Sequence, residues 1–390
     1  MIRKSLQKKS SKKNSGNEKL ILENKPSDWK ALFGGSKNRD DDFIIGVALN
    51  DCDESSSKLE IFTDLYESDI LIASPLAVQL TINKGMKNKK GKKIKENSDF
   101  LSSIEICVVD GADVMLMQNW SHLSNTFEKL NLAPKVDHGT DFSRLMPQFI
   151  HGLSHSWRQN IVISSILEPE INALIREHCN NQAGLIRLLR DYKDGSICQV
   201  ALQIQQVFQR IPCKQTDLPF KQDEERFTYF KEKVCPSLEH SGGNSWYRSH
   251  TAIYVPSYFD YIRLRNELLR REKSKTGNDL SIGTSEAVFV CEYSRRSEIQ
   301  RSRARFFSGK KPLLVFTGRA HFFNRFQLRG IQHLILFGLP LHPQIYPELL
   351  NMIEKGNGID PASCLVLYTP KEKLALQRIV GRERTERMFK

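Results

Sequence analysis

Residues 104–113 read IEICVVDGAD, an apolar run broken only by Glu105, which ends in Asp110 and is followed three positions later by Asp113. Such a run, rich in β-branched residues, reads as a strand of a parallel sheet buried on both faces. In an open parallel sheet, ligands sit beyond the carboxyl ends of the strands, where Asp110 and Asp113 fall. An acid placed there can hold Mg²⁺ through water. On the spacing alone, an acidic strand-to-loop turn of the kind any α/β chain carries is the better reading. Gly111 sits where a residue able to activate an attacking water is expected, and it offers no side chain.

The same grammar recurs outward from this stretch. DFIIGVAL (42–49), DILIASP (69–75) and NIVISSI (160–166) are apolar runs that end in small or polar residues, with amphipathic segments such as 76–84 and 141–150 between them. A parallel sheet covered on both faces is expected from this alternation. ALQIQQVFQRI (201–211) reads as a strand, and EPEINALIREHC and DEERFTYFKEKV read as helices. Five further strand–helix units begin at TAIYVP (251–256), EAVFVCEY (286–293), KPLLVFTG (311–318), IQHLILFGLP (331–340) and SCLVLYTP (363–370). Ser257 is placed to cap the helix after the first of these. The division expected is a polar, disordered tail over 1–28, a first α/β domain over 29–238, a Gly/Ser-rich linker over 239–250 and a second α/β domain over 251–390.

Hydrophobic residues make up 39% of the 390, enough for two cores, and no apolar run is long enough to span a bilayer. The basic N-terminus lacks the apolar stretch of a secretory signal. Its clusters at Arg3-Lys4, Lys8-Lys9 and Lys12-Lys13 suit a nuclear localisation signal or a solubilising tail. Eight cysteines occur without a C-x-x-C pair, so reduced thiols are expected and a zinc site is not. The net charge of +13 points to polyanionic or acidic partners.

Several chemistries lack their motif. G-x-x-x-x-G-K-[ST], which cradles phosphates, is absent; the nearest stretch, Gly85 to Lys93, has one residue too many and no Ser/Thr after Lys92. G-x-S-x-G and H-E-x-x-H are absent too, and His151 and His155 have no evident third ligand. Basic clusters are stronger. They comprise Lys89, Lys90, Lys92 and Lys93 in one loop, Arg295, Arg296, Arg301, Arg303 and Arg305 along one helix, Arg319, and Arg378, Arg382, Arg384 and Arg387 at the C-terminus. Arginine binds phosphate bidentately and stacks on bases, which favours RNA contact over solvated helix faces.

The order of these motifs resembles the two RecA-like lobes of DEAD-box RNA helicases. Ser74-Pro75 in SPLA stands where a backbone-binding motif follows its strand. DGAD at 110–113 resembles the D-E-A-D box, and Ser164-Ser165 in SSI resembles S-A-T. VFVCEYS at 288–294 resembles the fourth motif. QRIVGRER at 377–384 resembles H-R-I-G-R-T-G-R with Val380 added. Each match is degraded. On a continuous helix, one added residue turns the following arginines by about 100°.

Longer stretches, among them SDWKALFGG, SIEICVVDGADVMLMQNWSHL, YVPSYFDYIRLRNELLRRE and CEYSRRSEIQRSRARFFSGKKPLLVFTGRAHFFNRFQLRGI, are similar to the U3 small nucleolar RNA-associated protein 25 family, also called digestive organ expansion factor. That resemblance covers most of 28–385. It implies two RecA-like parallel-sheet lobes, the first lacking its N-terminal portion, because family members are longer there and carry an opening strand and helix. Either the sequence is truncated there, or the slot so left is filled by the tail or by another chain. It also implies a nucleolar component of the small-subunit processome, acting in pre-rRNA processing towards 18S rRNA beside U3 snoRNA, pre-rRNA and processome proteins, with no cofactor, no membrane and no ATP hydrolysis. The alternatives are a fragment of an ATP-dependent DEAD-box-type RNA helicase whose phosphate cradle lies upstream, and a basic protein-binding module without RNA contact.

Overall fold

Each apolar run after residue 250 forms a strand, and a helix succeeds it. A computed structural model describes residues 25–33, 41–51, 57–87, 93–94, 97–136, 138, 143, 146–214, 216–239, 250–276, 285–354 and 361–390. It divides into two compact units, one of residues 30–188 and one drawn from 1–29 and 189–390.

The unit at the C-terminal end holds a six-stranded sheet. Its strands are β8 (Gln205–Arg210), β9 (Thr251–Val255), β10 (Ala287–Val290), β11 (Leu313–Thr317), β12 (His333–Leu336) and β13 (Ser363–Tyr368), in the order β10-β11-β9-β12-β13-β8. All five pairings are parallel. β9 and β12 are buried at every residue, as sheet centres covered on both faces must be. Ile253, Val255, Leu264, Val315, Ile335 and Phe337 share one core. Ser257 caps the helix after β9 by accepting from the Asp260 backbone N–H at 3.5 Å.

β8 pairs with β13 along six residues, so a strand expected in the first domain completes the second sheet. QQVFQR is polar at four of six positions, which suits an edge strand, and it covers the edge that β13 would otherwise leave open. The units therefore divide at Leu188/Leu189, whereas 240–249 of the expected linker lie outside the described residues. Of the expected tail, residues 1–24 also lie outside them, but Lys25 to Asp28 do not behave as a tail. Trp29 is buried and donates from Nε1 to the Phe323 carbonyl at 3.0 Å, and Lys25 Nζ donates to the Asn324 carbonyl at 2.6 Å.

The helix Tyr258–Thr276 carries a charge clamp. Glu267 accepts from Arg270 Nη2 and Arg271 Nε, each at 2.8 Å. The Arg270 hydrogen bonds, then those of Arg271, outweigh partial burial and hold the carboxyl down at about 2 against an ordinary 4.5. A carboxyl depressed by folding stabilises the fold above its ordinary pKa and loses that contribution as pH falls through the folded value. The stability advantage over Glu267→Gln is therefore expected to be constant near neutrality, to shrink between pH 4.5 and about 2, and to vanish below; urea unfolding across that range checks it.

In the other unit, the pairing differs from the single parallel sheet expected. β1 (Ile44–Asp51) pairs antiparallel with both β2 (Ser57–Ile61) and β3 (Ile70–Ala73). β4 (Met86–Lys87) and β5 (Lys93–Ile94) form a short antiparallel pair. Parallel pairing is confined to β6 (Ile106–Val109) and β7 (Gln159–Val162). The cause lies at Gly46. Phe62 and Thr63 both donate to its carbonyl, so the chain crosses β1 there and passes from the β2 side to the β3 side. A Cβ at Gly46 would lie 2.2 Å from Ser68 Oγ and 2.7 Å from the Thr63 carbonyl, so only glycine permits the crossing.

The helices Pro75–Lys84, Trp120–Lys129 and Pro169–His178 cover one face of these strands around Val78, Ile82, Val109, Leu123, Phe127 and Ile171. The opposite face is open. Register places Leu49 opposite Leu59, and Val47 opposite both Ile61 and Ile70. Leu49, Leu59, Ile61, Ile70 and Ile72 are exposed, as are Ile106, Val108, Ile161 and Ile163 of the parallel pair. Among the described residues, β6 pairs only with β7, so its second edge is open. No helix of the described residues is long and apolar enough to cross a membrane.

Candidate nucleotide site and candidate nucleic-acid interface

The strand ends of the N-terminal unit bring two of the degraded motifs together. β6 stops at Val109, and Gly111 turns the chain with φ +68° into the short helix Ala112–Leu116. Ala112 N–H donates to the Ile163 carbonyl just beyond β7. This sets buried Asp113 against Ser165, whose backbone N–H and hydroxyl donate to the two carboxylate oxygens at 3.2 and 2.5 Å. Ser164 Oγ donates to the Ile166 carbonyl. Asp110 is exposed and makes no hydrogen bond or ion pair with a described residue.

Asp113 thus ties the two strand ends together. Asp113→Ala would remove the carboxylate that both Ser165 donors meet and is expected to cost the N-terminal unit about 2 kcal/mol, read as a lower urea midpoint. Ser74 also has a structural role. It caps the helix Pro75–Lys84 by accepting from Ala77 N–H at 3.1 Å, and Pro75 takes the first helical position, where no N–H is needed. Among the described residues, no three His, Cys, Asp or Glu side chains are grouped to hold a metal ion, and the seven described cysteines are free thiols.

In the six-stranded sheet, the connections leaving β9 and β12 run to opposite sides, so the carboxyl-end crevice between these strands is the place for a ligand. It is filled. Arg226, from the helix Pro219–Tyr229, is 3% exposed and donates to Glu372 Oε1 at 2.7 Å and to Asp223 Oδ1 at 2.5 Å. Burial disfavours its charge, but Glu372 and Asp223 outweigh burial and raise its pKa. A Cβ at Gly338 would lie 2.6 Å from Arg226 Nη1, 2.9 Å from Pro256 Cγ and 3.0 Å from Glu372 Oε1.

The C-terminal arginines do not lie on one helix. The helix Lys373–Val380 ends at Gly381, φ +88°, and a new helix runs Arg382–Phe389. The turn of 100° expected from Val380 is therefore replaced by a break. Arg378 is buried and donates to the Leu341 carbonyl at 3.3 Å, whereas Arg382 is exposed and pairs with Glu386 at 3.3 Å. Arg382 and Arg384 line a groove of about 810 Å³ together with Asp191, Asp194, Glu383 and Glu386, so the charges there offset one another.

Of the other basic candidates, Lys89, Lys90 and Lys92 lie outside the described residues, and Lys93 falls in β5. In the helix Arg296–Phe307, Arg303 turns inward, donating to the Gln327 carbonyl at 2.5 Å and lying over the Phe326 ring. Arg301 bonds back to the Ser297 carbonyl. Arg319 lies 3.9 Å from Glu292. Arg295, Arg296 and Arg305 are exposed and have no ion-pair partner among the described residues. Arg295 and Arg296 stand just beyond the carboxyl end of β10, beside Tyr293. Sequence reasoning missed Tyr258, Phe259 and Tyr293 at this edge, because in SYFDY and CEYS they read as the ends of a helix and a strand.

The chain is similar in sequence to known proteins over both of its halves. Residues 3–186 match the family model described as UTP25, NTP hydrolase-like domain, and residues 196–390 match that described as Utp25, C-terminal domain. The chain belongs to the U3 small nucleolar RNA-associated protein 25 family. It is 36% identical over 367 residues to the family's homolog from Xenopus tropicalis, covering 94% of this chain and 44% of that one. It is 34% identical over 377 residues to Protein NUCLEOLAR FACTOR 1 of Arabidopsis thaliana, covering 96% and 45%. The chain spans about half the length of the curated relatives it matches. Among solved structures it is similar to a DEAD box protein from Methanococcus jannaschii (15% identity, TM-score 0.32, covering 83% of this chain and 64% of that one) and to a hypothetical ATP-dependent RNA helicase from Sulfolobus tokodaii (12%, 0.29, 83% and 69%).

Proposed function

We propose that this member of the U3 small nucleolar RNA-associated protein 25 family is a non-catalytic, helicase-like scaffold of the nucleolar small-subunit processome, which contacts U3 snoRNA or pre-rRNA and neighbouring processome proteins during 18S rRNA maturation. The observation that carries the reading is Gly111. At φ +68° it starts the helix directly after Asp110, where phosphate hydrolysis needs a side chain that positions water. The filled crevice around Arg226 supports the same reading for the second sheet. The charge of +13 and the exposed Arg295 and Arg296, without a carboxylate partner among the described residues, support contact with polyanions. The relatives' names, U3 small nucleolar RNA-associated protein 25 and nucleolar factor, support the place. The N-terminal unit exposes rows of apolar side chains of the kind that other polypeptide normally covers, which supports a role among proteins.

Affinity purification followed by RNA and protein identification tests the proposal. Recovery of U3 snoRNA and pre-rRNA in complexes heavier than mature subunits is expected. A light, RNA-free fraction would contradict it.

A further inference from the structure

The geometry points to a base-stacking site for unpaired nucleotides at the carboxyl edge of β9 and β10, built from Tyr258, Phe259 and Tyr293 with Arg295 and Arg296 beside them. This site rests on the RNA-contact reading above and specifies which RNA it takes.

The rings form a ladder that starts in the core. Tyr261 is buried, edge-on to Phe289 at 6.4 Å, and Tyr258 stacks on Tyr261 with ring centroids 6.1 Å apart at 24°. Tyr258 in turn meets Tyr293 edge-on at 5.0 Å and Phe259 edge-on at 6.3 Å. The two outer rings are 69% and 79% exposed, so most of each ring stands in water, while their central neighbour is held from beneath. A large ring in water is unfavourable, and two around one anchored ring make a rigid apolar patch rather than a scattered residue.

The position supplies charge as well. Arg295 and Arg296 follow Tyr293 within three residues, are exposed and meet no carboxylate among the described residues. Nearby acids are engaged elsewhere. Glu292 accepts from Thr317 Oγ1 at 2.7 Å, Glu298 accepts from the Arg295 backbone N–H at 3.1 Å, and Asp260 is buried. Exposed aromatic faces beside unpaired guanidinium groups are what single strands require. Bases stack on the rings regardless of sequence, and the arginines follow the backbone. A duplex keeps its bases stacked inside and offers the rings nothing, so it gains only from the arginines.

The test measures binding of the 390-residue chain, at fixed salt, to three labelled probes: a short single-stranded oligouridine, an abasic strand of the same length and an RNA duplex. Oligouridine is expected to bind more tightly than the abasic strand by about tenfold or more, and Phe259→Ala with Tyr293→Ala should remove that difference while leaving the duplex affinity unchanged. Phe259→Tyr with Tyr293→Phe, which keeps both rings, should retain it. Arg295→Gln with Arg296→Gln should weaken all three probes and make the salt dependence shallower by about one to two in log–log slope. Equal binding of oligouridine and the abasic strand by the wild type, or an unaffected double alanine variant, would overturn the stacking site and leave RNA contact standing. Failure to bind any probe would overturn both. A double alanine variant that keeps its preference for oligouridine but drops a processome protein would make the patch a protein interface and overturn the proposal.

Discussion

Arg226→Ala is expected to destabilise the C-terminal unit by about 3–5 kcal/mol, because it leaves the Glu372 carboxylate facing an empty crevice, whereas Asp223 keeps Lys371. The arginine itself is not a source of great stability, since a buried charge returns little beyond its desolvation cost. What matters is what remains when it goes. Glu372 Oε1 also accepts from Leu339 N–H at 3.2 Å, and its Oε2 accepts from Thr369 N–H at 2.9 Å, so the carboxylate cannot swing out to water without undoing the turn after β12 and the cap after β13. The guanidinium also lies over the Phe337 ring at 5.3 Å, and that packing is lost too. Urea unfolding of the variant should show the lower midpoint. Arg226→Met with Glu372→Gln, which removes the stranded charge, should recover a large part of the loss. A loss under about 1 kcal/mol for Arg226→Ala, the range of an exposed pair, would mean that the crevice is wet and open.

Trp29→Ala is expected to cost a similar amount, about 3–5 kcal/mol, as large-to-small changes of buried tryptophan do. Trp29 is 5% exposed, and its loss would empty its site and remove the Nε1 hydrogen bond to the Phe323 carbonyl. Around it, Lys25 bonds to the Asn324 and Arg325 carbonyls, and Asp28 pairs with Arg325, which in turn pairs with Glu348 at 2.5 Å. Arg325 sits at φ +40°, a strained conformation held by these partners. Limited proteolysis should cut Trp29→Ala between residues 25 and 33 under conditions that leave the wild type intact. Equal resistance would show that the segment is not fastened.

The second half of the fold is legible in the sequence because central parallel strands are buried on both faces, so TAIYV and HLILF read as unbroken apolar runs. The edge strand QQVFQR is legible as a strand but not as a member of that sheet, since its neighbours in space are far away in sequence. In the first half, the pattern of apolar residues is the same whether strands pair parallel or antiparallel. Only Gly46, as the crossing point of the 62–69 loop, decides between them, and a lone glycine does not announce that role. The expected tail, 1–28, takes in the first two residues of the helix Ser27–Phe33: SDWKALF stands out as a stretch, but nothing in it shows that Trp29 has a buried site some three hundred residues away.

At the candidate site, the pairing of DGAD with SSI is legible as two motifs of one resemblance, and the structure joins them through Asp113 and Ser165. The arginines are legible only as a set. Arg303 and Arg378 turn inward to carbonyls, while Arg295 and Arg296 stay in solvent, a difference fixed by helix phase and by the break at Gly381. Arg226 lies in DEERF, which reads as part of a helix with nothing to mark one arginine as buried, and Gly338 leaves room for its guanidinium.

On the scaffold reading proposed above, the chain should leave ATP intact. Release of phosphate from Mg²⁺-ATP by the purified chain, with and without single-stranded RNA, is the decisive measurement. Turnover indistinguishable from buffer is expected in both cases, unchanged by Asp110→Ala. RNA-stimulated release that Asp110→Ala abolishes would make the chain a working ATPase and refute the scaffold reading.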